Sequence, residues 1–197
     1  MSEVKVAQMD AAVQIQQMMV NILIDTGLDL GNRSFVLTGE IDEDMFQRVD
    51  AFMNLLEAES KASVTVKIKC GGGSVYSTMA IISRLRSSKC KITTEGYGLI
   101  ASGAFNILAA GHKRRISPLA AVMHHEVAFY DLGAQKLSEL QALTKQSLRE
   151  ERIRAELMAK FTNQPTQFWL EEGSKIDRYF STQELLDFGV IDEVMKL

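Results

Sequence analysis

Between Arg33 and His125 the chain repeats one pattern: a short β-rich run, a break, then apolar residues at helical spacing. Arg33-Ser34-Phe35-Val36-Leu37-Thr38-Gly39 is the first run, ended by glycine. Asp42 is placed to cap the next helix, where Met45, Val49, Phe52, Met53 and Leu56 recur with helical period. Val64-Thr65-Val66-Lys67-Ile68-Lys69 alternates strictly, so one face is apolar and the other carries Lys67 and Lys69. The turn Gly71-Gly72-Gly73 then leads to a helix holding Val75, Met79, Ile82 and Leu85. Cys90 to Thr94 is a further strand, and Ala120 to His125 another. This alternation predicts an α/β fold of parallel strands joined by right-handed crossovers. Ligands in such sheets gather beyond the carboxyl ends of the strands. Gly73, Ser102 and His125 each follow such an end.

The strand ending at Thr94 runs into Gly96-Tyr97-Gly98, read as a turn that two glycines make possible. Ser102 sits where a helix of small and apolar residues starts. A serine there can cap the helix through its hydroxyl. It also lies where unpaired backbone N–H groups and the helix dipole favour negative charge, as a nucleophile's oxyanion would need. Ser102 is therefore a candidate nucleophile.

The 197 residues suit one domain, and 46% hydrophobic with 24% charged residues is an ordinary globular balance. A net charge of −3 argues against a dedicated nucleic-acid binder. Lys113-Arg114-Arg115 reads as a solvated turn. Cys70 and Cys90 form no CxxC pair and read as free buried thiols, with no metal site. The start of the chain lacks a secretory pattern and no run has the length of a membrane span, so a cytoplasmic protein is expected.

Residues 1–32 read as an arm with one helix and an irregular lead-in. From Gly133 to about Phe161 there is no glycine or proline after the first residue. Leu137, Leu140, Leu143, Leu148, Ile153, Leu157 and Phe161 recur at near-helical spacing. A helix of that length in a small domain is read as reaching a partner subunit rather than lying in the core. The tail carries an amphipathic turn around Phe168-Trp169-Leu170, a helix capped by Ser181 or Thr182, and a last strand near Val190-Ile191.

Hydrolysis by serine needs an imidazole to take its proton, a carboxylate to orient that imidazole, and backbone donors for the oxyanion. His112 lies in a charged turn. His124 and His125 are adjacent in a strand and point to opposite faces, so only one can face Ser102. Asp177, Asp187, Asp192 and Glu126 are the carboxylate candidates, with Asp177 flanked by Lys175 and Arg178. The glycine patterns fit nucleotides poorly. Gly71-Gly72-Gly73 lacks the lysine of a phosphate loop, and no acid follows Gly96-x-Gly98 at the distance a ribose requires. No cofactor is expected.

Phe35-Val36-Leu37-Thr38-Gly39-Glu40-Ile41-Asp42, Gly72-Gly73-Ser74-Val75, Ala101-Ser102 with Leu108-Ala109-Ala110-Gly111, Val122-Met123-His124-His125 and Asp177-Arg178-Tyr179-Phe180-Ser181 occur in the order of one family. From about Arg33 to the end the chain resembles the proteolytic subunit of the Clp protease (ClpP). The resemblance implies a spiral of strand–helix units, shared with the crotonases, over residues 33–197. A protruding strand-plus-long-helix handle falls at about 127–161. It puts the nucleophile on Ser102, selects His125 over His124, and puts the aspartate on Asp177. The oxyanion donors fall on the backbone N–H groups of Gly73 and Gly103. It further implies polypeptide substrates and a homo-oligomer of heptameric rings, paired through the handle into a tetradecamer.

Departures from the family pattern are specific. Gly103 replaces a methionine after the serine. Glu126-Val127 replaces Gln-Pro after the histidine. Thr65, Lys67 and Ser87 stand where the family has aromatics that receive an ATPase partner, which weighs against docking of an unfoldase. The chain reads as a divergent member. Its rivals are a crotonase-type acyl-CoA enzyme, which would not need Ser102, His125 and Asp177 together, and a catalytically silent ring or scaffold subunit.

Overall fold

A computed structural model describes residues 3–128, 136–174 and 177–197, with side chains from residue 13 onward. Helix α1 (Glu3–Thr26) leaves Val13, Ile15, Met18 and Ile24 largely exposed. Strand β1 (Leu28–Asp29) pairs antiparallel with β2 (Ser34–Ile41). Helix α2 (Glu43–Glu59) starts at Asp42, whose carboxylate accepts the Met45 N–H at 2.8 Å. The expected apolar stripe of Met45, Val49, Phe52, Met53 and Leu56 is its buried face.

Strand β3 (Val64–Gly73) leads to α3 (Val75–Arg86), where the Ser74 hydroxyl accepts from the Ser77 N–H. Strand β4 (Ile92–Ala101) leads to α4 (Gly103–Ala109), followed by β5 (Lys113–Ile116) and β6 (Ala121–His124). After them come α5 (Leu137–Phe161), α6 (Thr166–Gly173), β7 (Arg178–Phe180), α7 (Thr182–Asp187) and β8 (Glu193–Val194). The strand half of the expected handle falls largely on residues 129–135, outside the described residues.

The sheet order is β1-β2-β3-β4-β5-β8, with β6 branching from β4 and β7 pairing β6. The β2–β3, β3–β4, β4–β5, β4–β6 and β5–β8 pairs are parallel; β7 runs antiparallel to β6. The result is the mixed α/β architecture that the alternation predicts.

The glycine segments depart from the expected turns, because both lie inside strands. β4 continues through Gly96 and Gly98. Gly96 faces Ile68 and Ile100 faces Cys70, so Tyr97, Gly98 and Leu99 bulge out against Lys69. Gly98 takes φ 58°, a left-handed conformation open to glycine, and the strand survives as two halves rather than ending. Thr93 to Gly96 pairs with β5, and Leu99 to Ala101 pairs with β6. The bulge therefore splits the sheet and turns the second half of β4 toward Ser102.

The basic run is not a solvated turn. It is strand β5, and its side chains are held by acids: Lys113 by Glu193 (3.1 Å), Arg115 by Glu95 (2.9 Å), and Arg114 by Asp192. Arg114 also donates to the carbonyl oxygens of Phe161 and Gly189. That leaves little of the run's charge for nucleic acid. Val190 and Ile191, expected in the last strand, are buried just before β8 rather than inside it.

Under the β4–β6 branch lies an aromatic cluster. Phe105 stacks on Phe180 with centroids 5.6 Å apart and lies 5.7 Å from Trp169, which is fully buried. His124 packs among these rings, 5.2 Å from Phe105 and 5.9 Å from Trp169. Each such side chain contributes about 1.5–3 kcal/mol through burial. Together they anchor α4 and β6, the elements that carry Ser102 and precede His125.

Helix α5 does not have the polarity of a core helix. Leu137, Leu140, Leu143, Leu148 and Ile153 are exposed, while Glu150, Arg154, Ala155 and Met158 are buried. A core helix would show the opposite arrangement.

Candidate active site

Ser102 occupies the corner between β4 and α4 with φ 54° and ψ −121°, a region a non-glycine residue enters only when its surroundings force it. A strained strand-to-helix corner that presents a serine is the geometry of a nucleophile elbow. The corner is pinned by Ser102 N–H donating to the Met123 carbonyl at 3.0 Å and by Phe105 N–H donating to the Ser102 carbonyl at 3.1 Å. The expected capping bond is absent: the Ser102 hydroxyl makes no side-chain cap contact. The oxygen is thus left for other work.

Gly72 packs against this corner. A Cβ on Gly72 would lie 2.6 Å from Ser102 Cβ and 3.2 Å from Gly103 N, and its φ is 103°. A Cβ on Gly73, at φ 150°, would fall 2.4 Å from the Ile41 carbonyl oxygen. Both positions therefore require glycine. The approach holds the Gly71–Gly73 backbone directly beside Ser102.

Gly103 is the first residue of α4, so its N–H has no partner inside the helix. A Cβ there would meet Thr78 Oγ1 at 2.3 Å, because that hydroxyl is turned inward to donate to the Ser74 carbonyl at 2.8 Å. The missing side chain after the serine is matched by a neighbour that fills its space.

One open cleft is lined by Glu40, Gly71 to Val75, Ser102, His125 and Ala128. Ser102 and His125, which the sequence proposed as partners, thus face the same space. A smaller recess on the other side of Ser102 is lined by Gly73, Val75, Thr78, Gly103, Val127 and Arg154. The two strand histidines separate as alternation requires. His124 is buried among the aromatic rings, and burial pushes its pKa down to about 3; His125 is half-exposed toward the cleft. His112 is elsewhere, its Nδ1 accepting the Ile92 N–H at 3.1 Å.

The carboxylate candidates separate too. Asp192 is committed to Arg114, which holds its carboxyl below the usual range despite burial. Asp187 accepts from Gln183 on the surface. Glu126 lines a different recess, against Thr144, Ser147 and Leu148 of α5. Asp177 is exposed and is not among the residues lining the Ser102 cleft. It does sit one residue before β7, where Val122 faces Phe180, Met123 faces Tyr179 and His124 faces Arg178. The ladder stops there: β6 ends at His124, and Asp177 turns out of extended geometry at φ 32°, so it adjoins the end of the ladder next to His125 without pairing with it. Its flanking Arg178 pairs with Glu172 (2.8 Å) and Glu184.

Three contributors escaped the sequence reading. Gly72 was read as part of a turn and a motif with no role of its own, although a Cβ there would lie 2.6 Å from Ser102 Cβ. Arg154 and Glu151 of α5 were hidden by the leucine periodicity around them; a cation at helical spacing from Glu150 and Met158 was the available signal.

The fold is a mixed α/β spiral of strand–helix units whose clefts open at strand ends. A family model described as Clp protease matches residues 17–197. The ATP-dependent Clp protease proteolytic subunit 2 of Rhodococcus jostii is 31% identical over 169 residues, covering 84% of this chain and 85% of the relative. The proteolytic subunit 2 of Corynebacterium glutamicum is 32% identical over 171 residues, covering 85% and 84%. The proteolytic subunit 1 of Mycobacterium tuberculosis is 31% identical over 169 residues, covering 84% and 83%. The chain belongs to the Clp protease family, as a divergent member.

Proposed function

We propose that this chain is a serine endopeptidase that hydrolyses polypeptides inside a ring assembly of its own copies. The observation that carries the reading is the pairing of Ser102 and His125 on one cleft. The serine sits in a strained corner, its hydroxyl is free of any capping role, and the Gly71–Gly73 backbone lies against it.

In this reading His125 takes the Ser102 proton as Oγ attacks the peptide carbonyl. The carbonyl oxygen becomes an oxyanion beside the backbone N–H groups of Gly73 and Gly103. Collapse of that intermediate breaks the C–N bond, and the imidazolium returns its proton to the leaving amine. Water, deprotonated by His125, then attacks the acyl-enzyme and frees the carboxylic acid. Asp177, one residue before β7, orients the imidazole in this reading; its place at the end of the β6–β7 ladder, beside the end of β6 that His125 follows, supports that role.

Residues 33–197 form the peptidase unit and residues 1–32 an arm. The exposed leucines of α5 supply the surface on which a second copy docks. Thr65, Lys67 and Ser87, in place of aromatics, argue against a strong ATPase contact. The assigned compartment is the cytoplasm; among the described residues no helix is long and apolar enough to cross a membrane.

The test is labelling by a fluorophosphonate probe, with Ser102→Ala as control and native mass measured on the same sample. Labelling lost in Ser102→Ala, in a particle many times the mass of one chain, is expected. An assembled wild type that takes no label would overturn the peptidase reading and leave a scaffold subunit. Acyl-CoA binding without peptidase activity would favour the crotonase-type alternative.

A further inference from the structure

Helix α5 buries a cation beside the proposed site. Arg154 is 4% exposed and forms part of the wall of the recess next to Ser102 and Gly103. Placing a guanidinium there is costly unless its donors are matched, and they reach α4, an acid of α5 itself and the backbone just past β6. Nε donates to Asn106 Oδ1 at 3.3 Å, on the helix that Ser102 opens. Nη1 donates to Glu151 Oε2 at 3.0 Å, and Nη2 to the His125 carbonyl at 3.2 Å. The same Glu151 oxygen accepts the Val127 N–H at 3.0 Å.

These contacts fall where the backbone needs them. Strand β6 ends at His124, and residues 125–128 have no regular structure. Backbone groups leaving a sheet must find partners. The His125 carbonyl and the Val127 N–H find theirs on side chains of α5. Lysine would serve only in part, because a single ammonium lacks the planar fork that spans Asn106, Glu151 and His125 at once.

We infer that Arg154 and Glu151 are positioning residues: they clamp the backbone of His125 to the helix that carries Ser102 and so fix the imidazole over the serine. Neither touches the reacting atoms. The inference rests on the Ser102–His125 reading, but its structural half can be tested separately.

The experiment uses the full chain as Arg154→Met, Arg154→Lys and Glu151→Ala. Amide hydrogen exchange is followed in the peptide containing Val127, and kcat and KM are measured on a fluorogenic peptide. Rates are normalised to the fraction of Ser102 that a fluorophosphonate labels at completion. Exchange at Val127 should quicken at least tenfold in Arg154→Met and Glu151→Ala. kcat should fall about 10–100-fold, as for a reacting group displaced by about an ångström, with KM within about threefold. Arg154→Lys should recover part of kcat. A merely structural pair would lower thermal stability and leave normalised kcat unchanged, which overturns the inference; so does unchanged exchange at Val127. If Arg154→Met does not fold, Glu151→Gln carries the same readouts. A wild type that neither hydrolyses peptide nor takes the label defeats the peptidase reading, while the exchange result still decides whether the clamp exists.

Discussion

Gly72 and Ser102 approach so closely that a single methyl group on the glycine would lie 2.6 Å from the serine Cβ. Two chain segments distant in sequence are locked at this point. The contact makes the end of β3 a wall of the cleft rather than a connection between elements.

Gly72→Ala should therefore disable the site without dissolving the fold. The new methyl must push Ser102 or the Gly73 backbone aside, and a φ of 103° adds strain of about 1–3 kcal/mol. Peptide hydrolysis is expected to fall about 100-fold or more while far-ultraviolet circular dichroism stays native. Wild-type activity in the variant would show that Ser102 is not the nucleophile.

Asp177→Asn keeps the size of the side chain and removes its charge. With Asp177 as the orienting carboxylate, kcat should drop about 1,000-fold or more, and fluorophosphonate labelling of Ser102 should slow in parallel. Asp192→Asn should leave kcat within about threefold and lower stability instead, since its carboxylate serves Arg114. If the two variants exchange these phenotypes, the case for Asp177 fails.

His124 provides a pH prediction. Its folded pKa of about 3 lies below the ordinary 6.5, so the unfolded chain binds a proton that the folded chain refuses. The stabilisation is complete above pH 6.5 and erodes as pH falls, by about 1.4 kcal/mol per unit until near pH 3. Urea unfolding of the wild type between pH 7 and 5 should show that slope. His124→Phe, which keeps a ring among Phe105, Trp169 and Phe180, should lack it. Identical slopes in the two proteins would locate the titration elsewhere.

Paired substitution of Leu140→Glu and Leu143→Glu addresses assembly. Both side chains are partly exposed on α5 and make little of the chain's own core, so each chain should fold. The native mass should drop to a smaller particle, read by sedimentation. An unchanged mass would mean that copies meet on another surface.

Much of the architecture was legible because its signals are local. Asp42 and the stripe from Met45 to Leu56 fix α2, and strict alternation from Val64 fixes β3. The strand–helix rhythm then implies parallel pairing. The glycine segments misled because glycine permits a bulge as readily as a turn. Only the pairing of Gly96 with Ile68 and Ile100 with Cys70 decides between them, and pairing is a tertiary fact. The basic run failed for the same reason: its acids Asp192 and Glu193 lie far along the chain.

At the site, the period-two rule separated His124 from His125, and only the second lines the cleft that Ser102 lines. The residues alone left Asp177, Asp187, Asp192 and Glu126 open and the family resemblance chose Asp177; its place at the end of the β6–β7 ladder is a tertiary fact that no local pattern reveals. The Arg154 clamp was the least visible element. Its partners, Asn106 and the His125 carbonyl, sit on other elements, and the leucine periodicity says nothing of the face that carries Arg154.

That outward leucine face has a consequence for handling the protein. With Leu137, Leu140, Leu143 and Leu148 facing water, α5 gives a lone chain an adhesive flank. Dilution, truncation or overproduction that strands single chains will read out as precipitation, so solubility in a purified sample is a direct gauge of how many copies have found their neighbours.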